Sequence, residues 1–317
     1  MDSSQKAYLK EKIRGMPGLP TLSPNVMVIL GYLREKEVNY NKVLGAINRD
    51  QVLVAEILKL INSGFYGLTQ EITTVDHAVN LLGVNKLKEL LFSTSIMEVI
   101  AKKDEILWLH SYSTFCLMED FIRTNPALNV VGTLPLTMLM HDIGQVVLEK
   151  HNAKLHRAAF DISCDQRIPI HVAEHDLMGV DHAETGAWLM EFWDMTDETI
   201  IPIAYHHAHS HKVPTAYVRE AALVQLADYI DCNCRDIPAL SPSKELLDAA
   251  GILEYDMDFW QARQSHLIKA LDSSNPAFKL KDSAAKMHQF SIENLIKENV
   301  GTFKIKEFDF EVERYKS

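Results

Sequence analysis

The strongest constraint on how this chain can fold comes from seven side chains: His110, His141, Asp142, His182, His206, His207 and Asp228. Imidazole mixed with carboxylate suits one or two transition-type cations (iron, manganese, zinc or nickel) better than calcium or magnesium alone. The set runs from residue 110 to residue 228, so no single loop can gather it. A fold that uses it must bring several distant segments to one pocket. One pair is adjacent, in Leu139-Met140-His141-Asp142-Ile143-Gly144. At consecutive helical positions the ~100° step between neighbours would let both reach one cavity only over their shared edge. For any histidine taken singly, an ordinary buried or surface role is the better reading. The ordered set is what favours a metal.

Helical periodicity dominates the rest of the chain. Residues 23–36 read as a helix with Ser23 as N-cap and Pro24 at its first position. Asn41 and Asp50 read as caps of two further helices, the second with an apolar face of Val52, Ala55, Ile57, Leu58 and Ile61. Thr74 suits the start of a helix over 75–82 and Gly83 its end. A long apolar helix is expected near 86–101. The candidate ligands then fall on segments near 104–123, 132–150, 181–193, 197–208 and 215–233. Only residues 302–310 alternate like a strand. The expectation is an all-α helical bundle with a short strand-like tail. By role, it divides into an N-terminal extension (1–14), an N-terminal helical part (15–103), a metal-bearing part (104–236) and a C-terminal helical extension (237–317). The connection Ala101-Lys102-Lys103-Asp104 lacks the Pro/Gly/Ser composition of a flexible linker, so the two middle parts are expected to pack together.

Composition bounds the function classes. The 317 residues are 47% hydrophobic, enough for a substantial core. A formal charge of −11 argues against a general nucleic-acid-binding surface. Cys116, Cys164, Cys232 and Cys234 form no CxxC, and Cys232-x-Cys234 is too tight for the usual zinc spacing; buried or free thiols in a reducing compartment are expected. The polar start has no signal-peptide core, and no run of ~20 apolar residues spans a membrane. A cytoplasmic location is the expectation.

Several ordered motifs carry a family resemblance. Leu19-Pro20-Thr21-Leu22 leads into the first expected helix, followed by Asp50, Asn62-Ser63-Gly64-Phe65-Tyr66-Gly67, Ile72, Ala78-Val79 and Leu82-Gly83. Further on come Trp108-Leu109-His110-Ser111, His141-Asp142-Ile143-Gly144, Asp181-His182-Ala183-Glu184-Thr185-Gly186-Ala187, Trp193, His206-His207 and Leu226-Ala227-Asp228. Over roughly residues 15–235 this resembles the HDOD domain, an all-helical relative of the HD metal-dependent phosphohydrolases. The resemblance implies a bacterial regulatory or signal-output module, a class in which many members have lost metal ligands. This chain keeps the superfamily set His110, His141, Asp142 and Asp228. His182, His206 and His207 match the extra ligands of two-metal relatives such as the HD-GYP cyclic-dinucleotide phosphodiesterases. It departs from HD-GYP at Gln145, where a phosphate-contacting Lys is common, and in Ala208-His209-Ser210-His211, which replaces Gly-Tyr-Pro.

On that resemblance Asp142 would bridge two ions, with His110, His141 and Asp228 completing one site and His182, His206 and His207 the other. Such a centre would permit phosphoester hydrolysis. Three readings stay open: a signalling module that binds a partner protein or small ligand, a metal-dependent phosphohydrolase of a nucleotide or phosphoester, and di-iron redox chemistry. His171, Glu174 and His175 lie near the site in sequence and read first as a surface helix; His209 and His211 read as solvated.

Overall fold

A computed structural model of the chain describes residues 3–17, 23–33, 35, 37–62, 70–83, 87, 90–91, 104–125, 128, 134–252 and 256–274. The helix expected over 86–101 lies largely outside these residues, and the strand-like 302–310 wholly so. The fold is all-α, with no strand among the described residues. In order the helices are α1 (Ser3–Arg14), α2 (Pro24–Leu33), α3 (Tyr40–Ile47), α4 (Gln51–Ile61), α5 (75–83), α6 (Glu105–Thr124), α7 (Leu134–Met140) and α8 (Ile143–Gln166). They continue with α9 (Ile170–Met178), α10 (His182–Phe192), α11 (Asp197–Tyr205), α12 (Val218–Cys234), α13 (Lys244–Ala250) and α14 (Met257–Ser274). Residues 1–269 form one compact unit. Its apolar cluster runs from Leu9 and Ile13 in α1 to Trp260 in α14, and buries Ile29, Ile47, Ile57, Met118 and Leu134 completely or nearly so. No helix among the described residues is long and apolar enough to cross a membrane.

Side-chain caps set most helix starts. Ser23, Asp50, Thr74, Asp104, Asp181 and Ser243 each accept from a backbone N–H three residues on, at 2.9–3.3 Å. The cap of α3 is Asn39, not Asn41: Asn39 holds the extended backbone a cap requires and accepts from the Lys42 N–H at 3.2 Å, whereas Asn41 is already inside the helix. Asn62, just past the end of α4, bonds both backbone groups of Ile72. Its amide donates to the Ile72 carbonyl at 2.8 Å and its oxygen accepts from the Ile72 N–H at 2.7 Å.

Two departures from regular helix build the site. His141 and Asp142 do not occupy consecutive helical positions. α7 ends at Met140, α8 begins at Ile143, and Asp142 sits between them with φ −97° and ψ 6°. Here the chain breaks so that α8 can lie against α10. A Cβ at Gly144 would stand 1.9 Å from the His182 carbonyl oxygen and 2.7 Å from the Gly186 nitrogen, so only glycine permits that approach. It brings the start of α8, next to Asp142, onto the start of α10, at His182. Within α11, Pro202 removes a helical N–H, and the helix stops at Tyr205, releasing His206 and His207 beyond its end.

Candidate metal centre

The seven residues meet in one buried pocket. His110 comes from α6, His141 and Asp142 from the α7–α8 junction, His182 from the first position of α10, His206 and His207 from the end of α11, and Asp228 from α12. All but His207 are buried, and the His207 side chain is 9% exposed. Asp142 lies at the centre. Its Oδ1 is 3.2 Å from His182 Nε2, 3.6 Å from His206 Nε2 and 3.6 Å from His141 Nε2. Its Oδ2 is 3.6 Å from His110 Nε2 and accepts from the Gln145 amide at 2.7 Å. Asp228 Oδ1 is 3.3 Å from His110 Nε2. Asp142, His182, His206 and His207 offer donor atoms within 4.8 Å of one another, and so do His110, His141 and Asp142. Asp142 alone belongs to both groups.

Each of four rings is aimed by a bond at Nδ1. His141 Nδ1 donates to the Met138 carbonyl at 2.8 Å and His206 Nδ1 to the Ile203 carbonyl at 2.6 Å. His182 Nδ1 meets Glu174 at 2.6 Å and His110 Nδ1 meets Asp231 at 2.7 Å. Carbonyl oxygen only accepts, so in a neutral His141 or His206 the proton is on Nδ1 and the Nε2 lone pair faces inward. Those lone pairs point toward a carboxylate. His206 Nε2 is buried and has no hydrogen-bond partner. Two further Nε2 pairs stand close, His182–His207 at 2.8 Å and His110–His141 at 3.1 Å, and each can share at most one proton. Imidazole nitrogens and carboxylates converging in a buried pocket are what a cation requires, so the donor set fits a metal.

The charge balance is consistent with this. Burial alone would raise Asp142, yet His141, His182 and His206 hold it well below the usual carboxylate range. Burial pulls His141 down to about 4. His110 goes the other way: burial is outweighed by Asp228, Asp231 and Asp142, which push it up to about 10. Burial lowers His207 too, reinforced by His206, His171 and His182.

Sequence reasoning missed the groups behind the ligands. Glu174, fully buried on α9, binds both the ring and the backbone N–H of His182. Asp231, also fully buried, collects Ser113 at 2.6 Å and Arg235 at 2.6 Å besides His110. Its signal was available: it lies three residues after Asp228 and therefore on the same helical face. His171 stacks on His207 with ring centroids 4.2 Å apart, while His175 and His209 are exposed. Cys232 is buried and donates to Asp228 Oδ1 at 3.2 Å; burial, with Asp228 and Asp231 beside it, pushes the thiol pKa well up. The four cysteines are free thiols.

Comparison with known proteins agrees with the fold. The chain is 26% identical over 243 residues to an uncharacterized protein of Treponema pallidum (strain Nichols), covering 76% of this chain and 46% of that protein. It is 30% identical over 131 residues to the uncharacterized protein YuxH of Bacillus subtilis (strain 168), covering 38% of this chain and 32% of that protein. The matches thus span less than half the length of these curated relatives. An HDOD domain protein of unknown function from Geobacter sulfurreducens superposes with a TM-score of 0.55 at 23% identity, covering 92% of this chain and 98% of that one. A candidate phosphohydrolase from Shewanella amazonensis SB2B superposes with a TM-score of 0.56 at 20% identity, covering 82% and 94%. At these identities the likeness establishes the fold alone. The HDOD domain model matches residues 19–209, more than half of the sequence, and the chain belongs to the HDOD domain family.

Proposed function

We propose that this chain is a regulatory, signal-transduction HDOD protein that retains a dinuclear metal centre. The observation that supports it best is Asp142, one carboxylate shared by two groups of donor atoms, with the unpartnered Nε2 of His206 aimed at it. His182, His206 and His207 would hold one cation, His110, His141 and Asp228 the other, and Asp142 both. Bound there, iron, manganese, zinc or nickel would supply Lewis acidity, neutralising phosphoryl charge and acidifying a water molecule. The chain's own part is positioning. Glu174 and Asp231 turn His182 and His110 inward, carbonyls of α7 and α11 do the same for His141 and His206, and Gln145 fixes Oδ2 of Asp142. Nucleotides, phosphoesters and a cytoplasmic partner protein are the proposed ligands.

A second reading, a metal-dependent phosphohydrolase, is favoured by the completeness of the same donor set. Gln145 weighs against it for a highly charged substrate: its amide is spent on Asp142 and brings no positive charge to the pocket. Turnover of a nucleotide and phosphoester panel by manganese- or iron-loaded protein, beside Asp142→Ala, separates the two. Metal bound without turnover supports the regulatory reading. Metal-dependent turnover absent from Asp142→Ala supports the hydrolase.

A further inference from the structure

Cys232 and Asp228 stand four residues apart on α12, so both project from one face toward His110. Cys234 is two residues on, about 200° round the helix, and its sulfur instead lies 3.4 Å from the Gln261 carbonyl of α14. His110 Nε2, Asp228 and Cys232 Sγ form a third buried donor group, with the atoms within 4.8 Å of one another. Ligand bonds of ~2.0–2.3 Å place the donors of a single tetrahedral ion roughly 3–4 Å apart. Within the group Asp228 Oδ1 is 3.3 Å from His110 Nε2 and 3.2 Å from Cys232 Sγ. An independent feature points the same way. The His207 side chain, nine-tenths buried, turns Nδ1 toward Asp228 Oδ2 from 4.0 Å, and that nitrogen has no hydrogen-bond partner.

We infer that Cys232 is a thiolate ligand in the half of the centre held by His110 and Asp228. This half is therefore selective for a borderline or soft divalent cation, such as zinc, cobalt or iron(II), over magnesium or manganese. On coordination the thiol gives up its proton to solvent, one per ion bound, and the sulfur lone pair forms the new bond. The inference rests on the metal reading of the pocket and adds a ligand type that reading does not contain: sulfur.

The test is cobalt(II) loading of metal-free full-length protein under anaerobic conditions, with absorption spectra and bound cobalt measured together. The wild type should show a near-ultraviolet thiolate-to-cobalt charge-transfer band. Cys234→Ser should keep it. Cys232→Ser should lose it while still binding cobalt at the Asp142–His182 side. Its zinc affinity should fall by about tenfold or more and its manganese affinity change less than about twofold. Cys232→Ala repeats the comparison without a hydroxyl that could ligate. Cobalt bound by the wild type without the band, or a band that survives in Cys232→Ser, overturns the thiolate assignment and leaves the histidine–carboxylate centre standing. Failure of the wild type to bind cobalt at all overturns both.

Discussion

Glu174 meets His182 twice through one oxygen: Oε2 accepts from the His182 backbone N–H at 2.9 Å and from its ring Nδ1 at 2.6 Å. The bond to the backbone fixes where α10 begins, and the bond to the ring fixes which nitrogen faces Asp142. A carboxylate behind a ligating histidine also raises its basicity. Glu174→Gln keeps the size and removes the charge. It should weaken metal binding by about 10–100-fold, read by competition with a chromophoric chelator. Affinity within about twofold of wild type would show that Glu174 serves the fold and not the pocket.

Gly144 is the second test of how the site is assembled. Its missing side chain lets α8 approach the His182 carbonyl, where a Cβ would stand at 1.9 Å, against backbone that cannot rotate away. Gly144→Ala should cost about 3 kcal/mol or more of stability and lower metal occupancy with it, measured by urea unfolding and elemental analysis. A fully stable, fully loaded variant would mean that α8 and α10 are farther apart than described.

The metal-free protein should lose stability in acid. In the fold burial holds His141 and His171 near 4, whereas in the unfolded chain each takes a proton near 6.5. The unfolded state thus binds more protons between those values, and stability falls as pH falls from 6.5 toward 4. Glu174 adds to the loss at lower pH. Burial would raise it, but His182 and His156 bring it to about 2, so its contribution is complete above the ordinary 4.5 and disappears as pH drops through about 2. His110, raised to about 10, acts at the other end: its contribution is complete below 6.5 and is lost as pH rises through about 10. Urea midpoints at pH 6.5 and pH 4 check the sign. A midpoint that is unchanged or higher at the lower pH would contradict it.

Cyclic di-GMP should be a poor substrate even if the protein hydrolyses other phosphoesters. The Gln145 amide donates to Asp142 at 2.7 Å, so the position adds no cation for a phosphate. A neutral amide binds phosphate more weakly than an ammonium by about 1 kcal/mol or more. Turnover of cyclic di-GMP by the manganese-loaded protein, compared with simpler phosphoesters, is the measurement. Rapid cleavage would remove Gln145 from the argument about specificity.

Much of the fold was legible because helix starts are local. Ser23, Asp50 and Thr74 cap the helices their positions suggested, each through a bond only three residues long. The positions of His110, His182 and Asp228 on helices followed from period. The break between Met140 and Ile143 did not, because the apolar pattern continues through it and the cause is a distant contact, Gly144 on His182. The same limit hid Glu174 and Asp231. Each is a charged residue on a helix, and its burial follows only from tertiary packing that places a histidine against it. His171 was passed over because its stacking on His207 joins two segments whose separation in sequence gives no sign of contact.

The central claim is that Asp142 joins two cation sites. The direct measurement is the transition-metal content of purified full-length protein after loading and exhaustive dialysis, for the wild type, Asp142→Ala and His209→Ala. About two ions per chain are expected in the wild type. Most should be lost from Asp142→Ala, because the one carboxylate common to both donor groups is gone. His209 is exposed, so His209→Ala should retain them. A wild type that holds no transition metal, or equal losses from the two variants, would contradict the account.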